Sequence, residues 1–302
     1  MRHLVSVIAA TGLLAACNGG GESSSASATA SASEGAEAPD TAATTEGASA
    51  TASASEDASA TPGATASPAT SATSESHSNG ALSISEETDD YLFEYAYPAA
   101  AGNIPELAAL LDKRLERNKA ELAEQSAEAR DEARDNGFPY NKHSYSAEWK
   151  VVANLPDWLS LSSEIATYSG GAHGNYGYGS LVWNKQDKRA IKALDMFTSA
   201  AALDEALHDR LCAALNAERA KRRGPDTPEM GVDEFEQCVP VSDATVLVGS
   251  AGKKRFDRVG VIYGPYAAGP YAEGSYEFTL PVTKAVLETV KPEYRDAFAA
   301  RN

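Results

Sequence analysis

The segment from Asn18 to Gly80 has no Val, Ile, Leu, Met, Phe, Trp or Tyr, and it has no Lys or Arg. A chain without apolar side chains has nothing to bury and cannot offset the entropy that it loses on ordering. Residues 17–80 are therefore predicted to form a disordered tether of Ala, Ser and Thr that begins at Cys17. A glycosylated stalk has the same composition and remains an alternative.

Basic residues are few, and this limits the partners of the protein. The chain has a formal net charge of −17, and from Ala81 onward it holds 35 acidic against 25 basic residues. Nucleic acid is excluded as a partner because binding it requires a basic surface. An acidic surface permits a basic protein partner, although the same charge also serves solubility alone.

The apolar run at the start of the chain is too short to cross a bilayer, which needs about 20 helical residues. The stretch MRHLVSVIAATGLLAAC has a basic start, an apolar run and small residues before Cys17, which are the features of a secretory signal. Its last four residues, LAAC, resemble the lipobox of bacterial lipoproteins. Residues 1–16 are thus expected to be a lipoprotein signal peptide.

The lipobox resemblance implies that Cys17 carries lipid, such as palmitate, and anchors the protein to a membrane without spanning it. Asn18 is not the Asp that retains many such lipoproteins at an inner membrane. The expected location is the cell envelope, at the outer membrane facing the periplasm. The alternative is an ordinary secreted protein in which Cys17 occurs by chance.

Cysteine is scarce, with three residues in the whole chain. If Cys17 is lipidated, Cys212 and Cys238 remain as a pair, and we predict a disulfide between them in an oxidising compartment. Two unrelated buried thiols are the alternative. The two cysteines are far apart and no His pair stands at ligand spacing, so neither a metal nor another cofactor is expected.

The residues from 81 onward show the periodicities of an α+β fold with a mainly antiparallel sheet and two principal helices. One helix is predicted to run from an N-cap at Asn103, with Glu106 completing a capping box, to Gly137, and the other from Ala200 to Arg223. A short helical tail is predicted over residues 283–298. Strands are predicted over residues 89–98, 144–154, 158–169, 176–184, 243–250, 255–263 and 274–281.

Two stretches rich in Gly and Tyr stand out. They are YSGGAHGNYGYGSLVWN at residues 168–184, followed by ALDMF, and YGPYAAGPYAEGSYEFTLP at residues 263–281. Together they resemble the extracytoplasmic domain of unknown function shared by RsiV-type anti-sigma factors and PdaC-type peptidoglycan deacetylases. The resemblance extends over residues 89–290, and it implies a C-terminal α+β domain at residues 171–302 preceded by a smaller α+β module at residues 81–170.

The same resemblance implies recognition at the cell wall. The domain binds lysozyme in RsiV, and in the deacetylases it accompanies a separate catalytic domain, which this chain lacks. The expected partners are therefore peptidoglycan or a basic protein such as lysozyme.

His173, within the first Gly/Tyr stretch, has three interpretations. A cell-wall hydrolase or esterase using His173 would need a partner, and none of His143, Glu164, Asp195 and Glu273 stands at a recognisable spacing. A structural role at a turn fits the neighbouring glycines. Ligand recognition is the third, and its candidate residues are His173, Tyr176, Tyr178, Tyr266, Tyr271 and Glu273.

The favoured hypothesis is a lipid-anchored envelope protein whose domain recognises its ligand without catalysis, so that no catalytic residue is assigned. A passive structural lipoprotein, with no ligand, is a further alternative.

Overall fold

The computed structural model describes residues 72–224 and 235–301. The expected signal peptide, Cys17 and most of the expected tether lie outside these residues. The described strands form a seven-stranded sheet and a three-stranded sheet. The strands are β1 (Ala72–Ser78), β2 (Ala81–Glu87), β3 (Tyr91–Tyr97), β4 (His143–Asn154), β5 (Trp158–Tyr168), β6 (Asn175–Asn184) and β7 (Arg189–Ile191) in the larger sheet, and β8 (Thr245–Gly249), β9 (Arg258–Tyr263) and β10 (Tyr276–Pro281) in the smaller.

The larger sheet has its strands in sequence order, from β1 to β7. All neighbours are antiparallel except β3 and β4, which run parallel. A parallel pair needs a long crossover, and here it contains helices α1 (Ala99–Gly102) and α2 (Pro105–Asn136). The smaller sheet, in the order β10-β9-β8, is antiparallel throughout. The predicted α+β class with a mainly antiparallel sheet is confirmed.

Strand β1 corrects the predicted end of the tether at Gly80. Residues Ala72–Ser78 pair with β2, and Asn79 and Gly80 make the turn between the two strands. Every residue of β1 is exposed. The strand therefore forms through backbone hydrogen bonds to β2 and not through apolar burial. Composition reports only on apolar burial, so it did not predict this strand.

Helix α2 ends as the sequence predicts, because Gly137 adopts a left-handed conformation with φ of 73° just after Asn136. Its start differs. Ile104 is the N-cap and Pro105 is the first helical residue. Asn103 instead closes α1, and its side-chain amide donates to the Asn79 carbonyl oxygen at 3.0 Å. The predicted capping box is wrong because this side chain fastens the β1–β2 turn.

The first hydrophobic core lies between α2 and one face of the larger sheet. Leu107, Leu111 and Leu115 of α2 are buried there. Their intervals of four residues place them on one face of the helix. At the centre of this core, Trp149 Nε1 donates to the Tyr95 hydroxyl at 3.0 Å, and Tyr95 donates to a backbone carbonyl of α2 at 3.2 Å. The helix is thus fixed to the sheet by polar contacts as well as apolar ones.

Strands β4, β5 and β6 lie where the sequence predicts them, and they belong to one sheet. The boundary expected between residues 170 and 171 falls in the connection from β5 to β6. Strand β6 also contributes to both cores, since Leu181 and Trp183 are buried in the first and Val182 in the second.

The second core packs helix α3 (Ala200–Arg223) against the smaller sheet. The helix has the predicted bounds, and Ser199 caps it by accepting a hydrogen bond from the Ala202 amide at 3.0 Å. Cys212 of α3 and Cys238 are joined by a disulfide with a Cα–Cα distance of 5.3 Å. The bond ties α3 to the segment that leads into β8.

The last part of the chain closes the second core. Helix α4 (Lys284–Thr289) and the 3-10 turn Pro292–Ala297 follow β10. The two elements lie within the predicted helical tail. Among the described residues, no helix is long and apolar enough to cross a membrane.

Candidate functional site

The connection between β5 and β6 is shaped by its glycines. Gly170 and Gly171 adopt φ of 92° and 90°, values that other residues seldom reach. A Cβ atom on Gly174 would lie 2.9 Å from the Thr167 carbonyl oxygen. The chain can therefore make this turn and bring residue 174 close to β5 only with glycine at these positions.

The second Gly/Tyr loop connects β9 to β10 and contains the 3-10 turn Tyr271–Glu273. Tyr266 has a positive φ of 66°, which is unusual for a residue with a bulky side chain. The residue is 54% exposed. This loop therefore presents a large aromatic side chain to solvent.

The two loops meet. The ring of His173 stacks on that of Tyr271, with centroids 4.1 Å apart and planes 23° from parallel. The Tyr271 hydroxyl donates to the Gly174 carbonyl oxygen at 2.8 Å, and His173 Nδ1 lies 2.8 Å from the same oxygen. Since a carbonyl can only accept, this contact requires the proton on Nδ1.

Further rings surround this pair. Tyr176 lies edge-on to Tyr271 at 6.1 Å and to Tyr178 at 6.2 Å, and the Tyr266 ring is 5.6 Å from that of Tyr271. The Tyr178 hydroxyl is 2.8 Å from Ser275 Oγ, and burial raises the pKa of Tyr178. His173 and the four tyrosines, called the aromatic surface below, are the sequence candidates that the fold brings together.

Glu273, the sixth candidate, is engaged within the loop. Its carboxylate accepts hydrogen bonds from Arg223 Nε at 2.7 Å and from the Tyr276 hydroxyl. Burial alone would raise the pKa of Glu273, but the hydrogen bonds from Arg223 and Tyr276 outweigh it and the pKa is lowered. Burial and the bond to Glu273 raise the pKa of Tyr276 to about 12. Glu273 therefore holds the second Gly/Tyr loop in place.

Three arginines at the end of α3 hold the second loop in place, and the sequence indicated for them only the end of a helix. Arg219 is buried and donates through Nε and Nη2 to the Ala268 carbonyl oxygen, at 3.0 and 2.8 Å. Arg222 donates to the carbonyl oxygens of Glu273 and Ser275, at 2.6 and 2.8 Å. With Arg223, these residues fix the loop that carries Tyr266 and Tyr271.

Within the described residues, no carboxylate lies within 4.0 Å of His173. The partners considered from the sequence lie elsewhere. His143 is buried at the start of β4 next to Tyr140, Glu164 lies 3.9 Å from Lys150, and Asp195 is in the 3-10 turn after β7. In the part of the chain that the structure describes, the contacts of His173 are a stacked ring and a backbone carbonyl.

One group of possible metal ligands occurs in the described part of the chain. His208 lies one turn before Cys212 on α3, and the ligand atoms of His208, Cys212 and Cys238 are within 4.8 Å of one another. The sequence spacing gave no indication that His208 lies near the two cysteines. Because the cysteines are bonded to each other, their sulfurs are not available as thiolates to a metal.

A protein-family model matches the first part of the described fold. Residues 84–176 match the family model described as the deacetylase PdaC. The match covers the last four residues of β2, strands β3 to β5, both crossover helices and the first two residues of β6. It lies mostly in the region where the sequence predicted the smaller module, and it ends before the second Gly/Tyr loop. No curated protein matches the sequence.

Two solved structures resemble the chain at low identity. One is a DUF3298 family protein from Pseudomonas aeruginosa PAO1, with 16% identity, coverage of 78% of this chain and 97% of that one, and a TM-score of 0.40. The other is a DUF3298 family member from Bacteroides fragilis NCTC 9343, with 17% identity, coverage of 75% and 93%, and a TM-score of 0.42.

Proposed function

We propose that the protein is a lipid-anchored component of the cell envelope whose folded region binds peptidoglycan or a lysozyme-like basic protein without catalysing a reaction. The convergence of the two Gly/Tyr loops on the aromatic surface carries this proposal. Two loops that are far apart in sequence are held together there by the stack of His173 on Tyr271 and the bond from Tyr271 to the Gly174 carbonyl.

The chemistry of the aromatic surface suits recognition. Tyrosine rings cover the apolar faces of sugars and also anchor protein interfaces, while their hydroxyls stay in water. The arginines of α3 hold the second loop rigid, so little conformational entropy is lost when a ligand binds. Tyr266, at 54% exposed, is the most exposed of the four tyrosines.

Binding without chemistry is proposed because His173 faces a carbonyl and a ring. The matched family model is described as a deacetylase, and a cell-wall deacetylase or hydrolase acting through His173 would need a carboxylate, nucleophile or metal beside the imidazole.

The proposed location in the envelope rests on the lipobox and Cys17. A radiolabelled palmitate incorporation assay with a Cys17→Ala variant tests this location. Label that persists in the variant would exclude anchoring at Cys17.

The binding proposal is tested with the full-length chain by co-sedimentation with insoluble peptidoglycan and by calorimetry with lysozyme. We expect one of the two to bind, and we expect Tyr266→Ala and His173→Ala each to weaken that binding about tenfold, or about 1.4 kcal/mol. His77→Ala, which removes an exposed histidine from β1, is the matched control. Absence of binding to both probes, or unchanged binding in both variants, contradicts the proposal.

The same samples test for catalysis. Released acetate and new reducing ends are measured after incubation with peptidoglycan. Turnover that is lost in His173→Ala would show that the protein is an enzyme, and the non-catalytic part of the proposal would then be wrong.

A further inference from the structure

A large groove borders the aromatic surface at Tyr178 and extends away from the two Gly/Tyr loops. It has a volume of about 870 Å³ and is lined by α2, by strands of the larger sheet, and by the segments after β7 and before β8. This volume is in the range of small-molecule sites, which is about 300 to 1,000 Å³. None of its basic residues was singled out by the sequence.

The groove is basic in an acidic protein. The charged residues that line it are Arg114, Arg117, Lys192 and Asp195, in a chain whose formal net charge is −17. Such a local reversal of charge concentrates anions from solution. The four residues come from two parts of the fold, since the arginines lie on α2 and the other two follow β7.

Arg114 is the best placed of these cations. Its guanidinium lies over the ring of Trp149, 5.3 Å from the centroid. Within the described residues, no carboxylate lies within 4.0 Å of Arg114 or of Lys192. Arg117 pairs with Glu121 at 3.7 Å, but both side chains are exposed and such a pair contributes little. The groove therefore offers at least two cations that are free to bind an anion.

Half-buried side chains and one unpaired hydroxyl also line the groove. Tyr145, Ile165 and Leu194 are half-buried and line it. Ser163 also lines it, is 1% exposed, and has no hydrogen-bond partner for its Oγ in the described part of the chain. Gly179 faces Ser163 across the β5–β6 pair and leaves room there, because a Cβ on Gly179 would lie 2.3 Å from Ser163 Oγ.

We propose that this groove is a second binding site, which takes a small ring-shaped molecule with a carboxylate, of the sugar-acid class. The carboxylate would pair with Arg114, whose planar guanidinium can donate two parallel hydrogen bonds to it, and with Lys192. The ring would lie against the half-buried apolar side chains, and the unpaired Ser163 hydroxyl provides a polar contact at the wall. The groove shares Tyr178 with the aromatic surface, but the residues assigned to the carboxylate, Arg114 and Lys192, lie outside that surface.

The test uses two probes that share one ring and differ in the acid. N-acetylmuramic acid carries a lactyl carboxylate, and N-acetylglucosamine lacks it. Binding of each to the full-length chain is measured by ligand-observed NMR. We expect the dissociation constant of N-acetylmuramic acid to be at least about tenfold lower. We also expect this difference to disappear near 1 M salt, where the Debye length is about 3 Å.

Variants assign the binding to the groove. Arg114→Gln should raise the dissociation constant of N-acetylmuramic acid most of the way to that of the neutral sugar, because Lys192 retains the remaining contact. Lys192→Gln, at an exposed position, should raise it in part without any risk to the core. Arg134→Gln is the matched control, because Arg134 is an exposed arginine on the same helix that pairs with Asp131 and Asp135.

Two results would overturn the inference. One is equal binding of the two sugars, including binding of neither, and the other is unchanged binding in both the Arg114 and Lys192 variants. The His173→Ala and Tyr266→Ala variants should bind N-acetylmuramic acid normally. The proposal for the groove and the proposal for the aromatic surface can therefore be contradicted independently of each other.

Discussion

Arg223 and Glu273 meet through two hydrogen bonds, from Nε to Oε1 at 2.7 Å and from Nη2 to Oε2 at 3.2 Å, although they are 50 residues apart in the chain. Both side chains are about nine-tenths shielded, with exposures of 13% and 12%. The pair joins the last turn of α3 to the loop that carries the aromatic surface. Its loss should therefore affect both stability and ligand binding.

We expect Glu273→Gln to lower the free energy of unfolding by about 1.5 to 3 kcal/mol, the usual value of hydrogen bonds to charged groups. Arg223 retains Glu236 at 3.1 Å, which limits the loss. Urea unfolding at neutral pH measures the change, and Glu277→Gln, at an exposed position on β10, is the control. A change no larger than that of the control would show that the pair does not stabilise the loop.

The Glu273 pair also predicts a dependence on pH. The pKa of Glu273 is lowered in the folded protein from an ordinary value of 4.5. Its stabilisation is therefore fully present above pH 4.5 and is lost as the pH falls through the lowered value. The difference in unfolding free energy between the wild type and Glu273→Gln should therefore shrink as the pH is lowered below 4.5. A difference that stays constant into strong acid would contradict this assignment.

The disulfide between Cys212 and Cys238 closes a loop with a sequence separation of 26. Chain entropy predicts that a loop of this length stabilises the fold by roughly 3 kcal/mol. We expect the double variant Cys212→Ser/Cys238→Ser to lose about this amount in urea unfolding. Reductant should destabilise the wild type similarly and leave the double variant unchanged, and a wild type that does not respond to complete reduction would contradict the prediction.

Gly102 is packed against the β1–β2 turn. A Cβ atom at this position would lie 1.6 Å from the Gly80 carbonyl oxygen, which is backbone and cannot move without shifting the turn. We expect Gly102→Ala to destabilise the protein by roughly 1 to 3 kcal/mol in thermal or urea unfolding. Gly264→Ala is the control, since a Cβ there meets nothing within 4 Å. Equal stability of the two variants would show that the turn adapts freely.

The sequence predicted the elements whose signals are local. The bounds of α3 follow from leucines at intervals of four residues between Ser199, which caps the start, and Gly224, which ends the helix. Strands β4 to β6 alternate clearly enough to be placed within two residues. Asn103 misled because its side chain serves a turn 24 residues earlier in the chain, and no local pattern encodes that contact.

The site depends on contacts over longer separations. The two Gly/Tyr stretches are visible in the sequence, but the bond from Tyr271 to Gly174 joins residues 97 apart, and only the packing of the smaller sheet brings them together. The role of Arg219 was hidden for the same reason, since its carbonyl partner is 49 residues away. The groove combines Arg114 and Lys192, which no spacing rule relates.

Strand β1 is both the edge of the larger sheet and the first described element, with Ala72 paired to Glu87 at the open end of the β1–β2 hairpin. Tension on the chain before Ala72 would therefore act on that open end. Single-molecule pulling from the N-terminal side should show a first step at low force, and its absence would contradict this geometry. Such a pull breaks the β1–β2 hydrogen bonds one after another, so β1 unzips and absorbs the extension before the force reaches the two cores.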